Sequence, residues 1–171
     1  MNTIKVDFKS GKFSRSGHCS FNGWHQIASD ESVLFSTNVP EGSEQLKLDW
    51  FVTNEEKFYR IACDYLLTNT SKLLEYFEFD DGDLAYFSSY YKLDAKRIAE
   101  GDILSMIRLK SVVIPHTDKD VIGFGFDCVW DDEHGLGIVI YKDQVISCNE
   151  ESSAYECLDF EDVFYSEISE G

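Results

Sequence analysis

Residues 123–139 read GFGFDCVWDDEHGLGIV, and the spacing of this stretch decides how the chain is put together. Apolar residues alternate at period two on both sides of its centre, with Phe124, Phe126, Cys128 and Trp130 before it and Leu136, Ile138 and Ile140 after it. That is the pattern of two half-buried strands, so the charged run between them reads as the tip of a β-hairpin. Asp131, Asp132, Glu133 and His134 are then held in a fixed place by strands anchored on a core, with Gly135 and Gly137 directly behind them.

The strand pattern extends on both sides of the hairpin. Val112-Val113-Ile114, Val121 to Trp130, Leu136 to Tyr141, Gln144 to Cys148 and Ala154 to Leu158 predict four or five strands joined by short turns, an antiparallel meander with Lys142-Asp143 as one two-residue turn. Toward the N-terminus the period lengthens. Phe58, Ile61, Ala62, Tyr65, Leu66, Leu73, Leu74 and Phe77 recur at helical spacing behind a capping-box pattern, Thr53 to Glu56, and Asn69-Thr70-Ser71 is a candidate break. The aromatic run LAYFSSYYKL suits either a helix or a strand. Asp94 is placed to cap a helix through Ile107, which Gly101 weakens. In the first 50 residues, Ile4-Val6-Phe8, a turn at Ser10-Gly11, Ile27, Val33-Leu34-Phe35 and Leu46-Leu48-Trp50 predict short strands. The expected fold is α+β over residues 1–171 as a single domain: an antiparallel sheet, made of the C-terminal meander and N-terminal strands, covered by two or three helices.

A chain of 171 residues with 15% aromatic content has the apolar surface to offset its ordering entropy, so disorder is excluded. It shows no run of about 18 uncharged apolar residues and no secretory leader, which makes cytoplasmic residence the expectation and a membrane partner unexpected. Five cysteines, at 19, 63, 128, 148 and 157, form no CxxC pair, and this argues against a disulfide framework or a zinc ribbon. Cys63 and Cys128 fall on apolar faces and read as small hydrophobes.

Charge narrows the functional classes. The formal net charge is −17, from 32 acidic and 15 basic side chains. Residues 143–171 carry Asp143, Glu150, Glu151, Glu156, Asp159, Glu161, Asp162, Glu167 and Glu170 with no Lys or Arg, whereas residues 1–20 hold Lys5, Lys9, Lys12 and Arg15 against Asp7 alone. Such a surface repels a phosphate backbone, so nucleic acid is an unexpected ligand, while a cationic protein is attracted and steered. Solubility alone is the plainer account of the same charge.

Three readings of Asp131, Asp132, Glu133 and His134 stand side by side. In a purely architectural one, Asp131 caps the turn, Gly135 supplies a positive φ, His134 donates to a nearby carboxylate or carbonyl, and the remaining charges face water. In a metal site, His134 with Glu133 or Asp131 would join His116 or Asp118. In an acid/base site, crowded carboxylates would raise one another's pKa and that of the histidine. No GxSxG, HExxH, P-loop or GxGxxG pattern supplies a preset nucleophile or cofactor cradle, and no cofactor is expected. His18 and His25 flank Cys19 and Trp24, but neighbours in a strand point to opposite sides, which disfavours a Cys/His pair. Trp24, Trp50 and Trp130 read as core anchors, and Tyr86, Tyr90 and Tyr91 as either core or interface residues.

The run from Cys128 to Gly137 resembles an uncharacterised family of small bacterial domains that carry a C-terminal signature C-x-W-D-[DE]-E-H-G-L-G. Those domains look like members of toxin loci in which acidic immunity-type proteins neutralise a cognate toxin. Together with the acidic balance, the resemblance leads to the expectation of a non-enzymatic protein that occludes the surface of a basic partner such as a toxin domain. Candidate contact residues are the acidic turn Glu78, Asp80, Asp81 and Asp83, the hairpin residues Asp131, Asp132, Glu133 and His134, and the C-terminal Glu150, Glu151, Asp159, Glu161 and Asp162. The alternative is a small metal-dependent or acid/base hydrolase centred on residues 131–134.

Overall fold

The structure, a computed structural model, describes residues 9–10, 15–19, 27–75 and 81–160, with side chains described at 27, 33–75 and 85–160. Its strands are β1 (Lys9–Ser10), β2 (Arg15–Cys19), β3 (Ala28–Thr37), β4 (Ile107–Ile114), β5 (Val121–Cys128), β6 (Asp131–Tyr141) and β7 (Gln144–Asn149). They form one seven-stranded sheet in chain order. Every neighbouring pair is antiparallel except β3 and β4, which run parallel. The fold is α+β. The expected meander is present as β4 to β7, and Lys142-Asp143 turns between β6 and β7 with Lys142 at φ 54°.

The parallel step requires a crossover, and the helices supply it. They are α1 (Glu44–Thr68), α2 (Thr70–Leu73), α3 (Asp81–Tyr90) and α4 (Ala95–Ala99). Leu48, Phe51, Phe58, Ala62 and Leu66 of α1 are buried against Leu109, Val112, Phe124, Phe126, Ile138 and Ile140 of the sheet, which is the main core. Trp50 and Trp130 pack at its edge as half-buried anchors; Trp24 lies outside the described residues.

Several local expectations change. Leu46-Leu48-Trp50 belongs to the first turns of α1 and not to a strand, because the chain turns at Gly42 (φ 88°), whose N–H donates to Glu44 Oε2 at 2.7 Å and opens the helix there. Thr53 is therefore interior, and its hydroxyl donates back to the Asp49 carbonyl at 2.8 Å in place of capping. The break at Asn69 is where it was expected. Asp94 caps α4 by accepting from the N–H groups of Lys96 and Arg97, but the helix stops at Gly101 (φ 78°), and Asp102 then caps a separate 3-10 turn, Ile103–Ser105. The expected strands at Ile4-Val6-Phe8 lie outside the described residues.

The last expected strand, Ala154 to Leu158, is the helix α5 (Ser153–Glu156) followed by a 3-10 turn, Cys157–Asp159. Glycines on the far face of the sheet explain it. A Cβ on Gly123 would sit 2.1 Å from the Ala154 carbonyl oxygen, and one on Gly137 would sit 2.3 Å from that of Glu150. With no side chains there, the backbone of the C-terminal segment lies directly on the strands. Ala154, Cys157 and Phe160, three residues apart, then pack on Val113, Val121, Val139 and Tyr141 as a second core.

Among the described residues no helix is long and apolar enough to cross a membrane. Cys63, Cys128 and Cys157 are buried and Cys148 is half-buried, all as free thiols. Burial pushes the Cys63 and Cys148 thiols up to about 11 and that of Cys128 up to about 12. That is the character of packing residues and not of reactive thiolates.

Candidate functional site

The turn between β5 and β6 is the apolar pair Val129-Trp130, since Cys128 pairs with Asp131 in the ladder. It sits under the helices: Val129 is buried with Phe87, Tyr91, Leu93, Ile98 and Met106, and its N–H donates to the Met106 carbonyl at 2.9 Å. The charged residues expected at the tip consequently open β6. Between the Cys128–Asp131 and Phe126–Leu136 pairs the register slips, and residues 132–135 form a bulge.

Asp131 holds that bulge closed. Its Oδ1 accepts from the backbone N–H of His134 at 3.0 Å and from the His134 ring Nδ1 at 2.9 Å. Since a carboxylate only accepts, Nδ1 carries the proton. Gly135 completes the turn with φ 66°, and a Cβ there would meet the Phe126 carbonyl oxygen at 2.5 Å. The His134 carbonyl in turn accepts from the Glu151 N–H at 2.9 Å, tying the bulge to the segment before α5. The hydrogen bond that its ring donates to Asp131, and the charge of that carboxylate, raise the His134 pKa above the usual imidazole value, with Glu150 and Glu133 adding to it. No hydroxyl or thiol is hydrogen-bonded to that ring among the described residues. Nor, among the described residues, does any group of three His, Cys, Asp or Glu side chains converge in a way that could hold a metal.

A surface pocket of about 390 Å³ opens between the bulge and the α5 turn, lined by Glu133, His134, Glu150, Glu151, Ser152 and Tyr155. Glu133 and Glu150 are exposed, as is Asp132 beside them. The nearby cations are already engaged. Arg108 donates to Asp127 at 2.6 Å, and Lys110 lies 3.2 Å from Asp127 and 2.9 Å from Glu151. These contacts hold the Lys110 ammonium well above its usual pKa despite partial burial. Glu151 is thus committed internally, while among the described residues no Lys or Arg pairs with Asp132, Glu133 or Glu150.

The structure brings together Asp131, Asp132, Glu133, His134, Glu150 and Glu151. Asp159 is elsewhere, in the 3-10 turn after α5, where Cys157 donates to the Val113 carbonyl and Asn38 donates to that of Leu158. That is the opposite end of the sheet. His116 and Asp118 share that far end, in the β4–β5 loop, roughly 20 Å from the bulge along an eight-residue strand, too far to join His134 around one ion. Asp81 and Asp83 belong to α3, and Glu78, Asp80, Glu161 and Asp162 lie outside the described residues.

The Arg108–Asp127–Lys110–Glu151 network was not foreseen from the sequence, although it had a signal. Arg108 and Asp127 are charges set in otherwise apolar strands, and they face each other in the β4–β5 register. Gly123, Gly125 and Gly137 were also missed, at period two within strands where a close backbone approach was the available reading.

Residues 10–155 match the model of a family described as Domain of unknown function (DUF6985). No curated protein and no solved structure matches the chain.

Proposed function

The chain belongs to this DUF6985 family, and from the acidic edge of its sheet we propose that it binds a basic protein by charge complementarity, the partner class being toxin domains of the kind that immunity-type proteins occlude. One observation carries the proposal. Asp132, Glu133 and Glu150 stand exposed around a concave pocket, while the neighbouring Arg108 and Lys110 are consumed by Asp127 and Glu151. The excess negative charge is therefore directed outward and held by a rigid bulge, which favours steered encounter with a cation. Charge at a rim sets the rate and the partner's orientation, and buried anchors supply most of the affinity. Residues 128–137 resemble the signature of an uncharacterised family whose members look like parts of toxin loci, which supports the same class of partner.

The test is a pull-down of the tagged chain from its native cytoplasm at low and high salt, with mass spectrometry of the eluate. A stoichiometric basic protein lost at high salt is the expected result, and a partner-free sample at both salts sinks the reading. The rival hydrolase reading draws on the Asp131–His134 contact of 2.9 Å. It requires turnover that Asp131→Asn abolishes, so the same purified sample screened against ester and phosphoester substrates separates the two.

A further inference from the structure

Two adjacent aromatic ladders, an inner and an outer one, run along the end of α3 and the residue after it, and their rings touch. Phe87 and Tyr91 stack at 5.9 Å and are buried, anchoring the helix against Val129, Ile98 and Met106. Tyr86 and Tyr90 stack at 5.4 Å with an interplanar angle of 11°, yet they remain 48% and 63% exposed. The inner ladder already meets the needs of packing. The outer one leaves a nearly parallel, stacked pair of rings in water, on a helix that the core holds still.

The same aromatic group shows what such rings bind. The Arg108 guanidinium lies over the Tyr91 ring, 4.9 Å from its centroid, while donating to Asp127 at 2.6 Å. A planar cation on a tyrosine face with a carboxylate at its edge is a favourable combination, and guanidinium stacks better than ammonium. The outer ladder adjoins that site. Tyr91 touches both Tyr86 and Tyr90 edge-on, at 6.3 and 4.9 Å. Burial raises the Tyr91 hydroxyl pKa, and the charges of Asp127 and Asp132 add to it, so the field at this aromatic group is negative.

We propose that the Tyr86–Tyr90 pair is the docking platform for an arginine side chain of the basic protein partner. This rests on the basic-partner reading and adds to it the missing anchor, because Tyr supplies a large rigid contact area at an interface and the bulge carboxylates supply the field.

Isothermal titration at low salt with hexa-arginine and hexa-lysine, peptides of equal charge, tests both levels. The intact chain is expected to prefer the arginine peptide by about threefold to tenfold. Tyr86→Leu/Tyr90→Leu should erase that preference, and Tyr86→Phe/Tyr90→Phe should retain it. Both side chains are exposed, so an unchanged thermal midpoint verifies that the variants fold. Equal affinities in the intact chain, or an arginine preference that survives the leucine variant, overturns the tyrosine platform and leaves the acidic edge standing. Failure of both peptides to bind overturns the basic-partner reading itself. A dimer of the intact chain that the leucine variant disperses assigns the patch to a second copy and also overturns the proposal.

Discussion

Asp131 accepts two hydrogen bonds from His134, one from its backbone and one from its ring, and this closes the bulge without any external ligand. The architectural role anticipated for Asp131, His134 and Gly135 is the one the geometry displays, while Asp132 and Glu133 face solvent. Because its folded pKa lies above the ordinary value of 6.5, protonated His134 stabilises the bulge fully below that pH, and the contribution is lost as pH rises through the raised value. An NMR titration should therefore find His134 deprotonating above the ordinary imidazole range, and Asp131→Asn should return it toward that range. A wild-type His134 titrating at or below 6.5 would contradict the contact. At this scale the sequence was legible where a side chain acts on its near neighbours, as with the Asp94 cap and the Asp131 turn. It was not legible at Glu151, whose partner Lys110 is 41 residues away and brought close by the sheet.

Elements were readable in proportion to how local their cause is. The alternation in β5 and β6 follows from Phe124, Phe126, Leu136, Ile138 and Ile140 meeting the helix-side core while glycines and Val121 and Val139 meet the C-terminal segment. The helical spacing of Phe58, Ala62 and Leu66 follows from α1 lying on the first of these faces. Residues 154–158 failed because the same apolar residues serve either a strand or a short helix, and the choice was made by glycines on other strands. Gly123→Ala tests this directly. Its Cβ would meet backbone atoms of Ala154 at 2.1 and 2.9 Å, which cannot yield as a side-chain tip can. Overpacking of this kind is expected to cost about 1–3 kcal/mol, measured by denaturant unfolding. Gly101→Ala is the contrasting case, with open space around the Cβ and a φ of 78°, and its cost is backbone strain alone, about 1 kcal/mol. A smaller loss at Gly123 than at Gly101 would show that the α5 segment is not seated on the glycines.

Over the whole molecule, the charge of −17 acts through where the sheet places it. Once the basic partner is in hand, Asp132→Lys with Glu133→Lys and Glu150→Lys should slow association by about tenfold or more at low salt and flatten its salt dependence, read by stopped-flow mixing. The same reversal at Asp159, at the far end of the sheet, should change the rate much less. Equal effects at the two ends would mean that net charge alone governs the encounter. The sequence by itself determined the strand meander, the helical segments before it, the acidic balance and the Asp131 turn, because periodicity, capping and charge are set by residues close along the chain. Only the tertiary structure decided that β3 runs parallel to β4, that Glu150 joins Glu133 while Asp159 does not, that Lys110 is spent on Glu151, and that Tyr86 and Tyr90 face water while Tyr91 is buried. Each of these depends on which distant segments share a face, and pairings across tens of residues leave no period in the sequence.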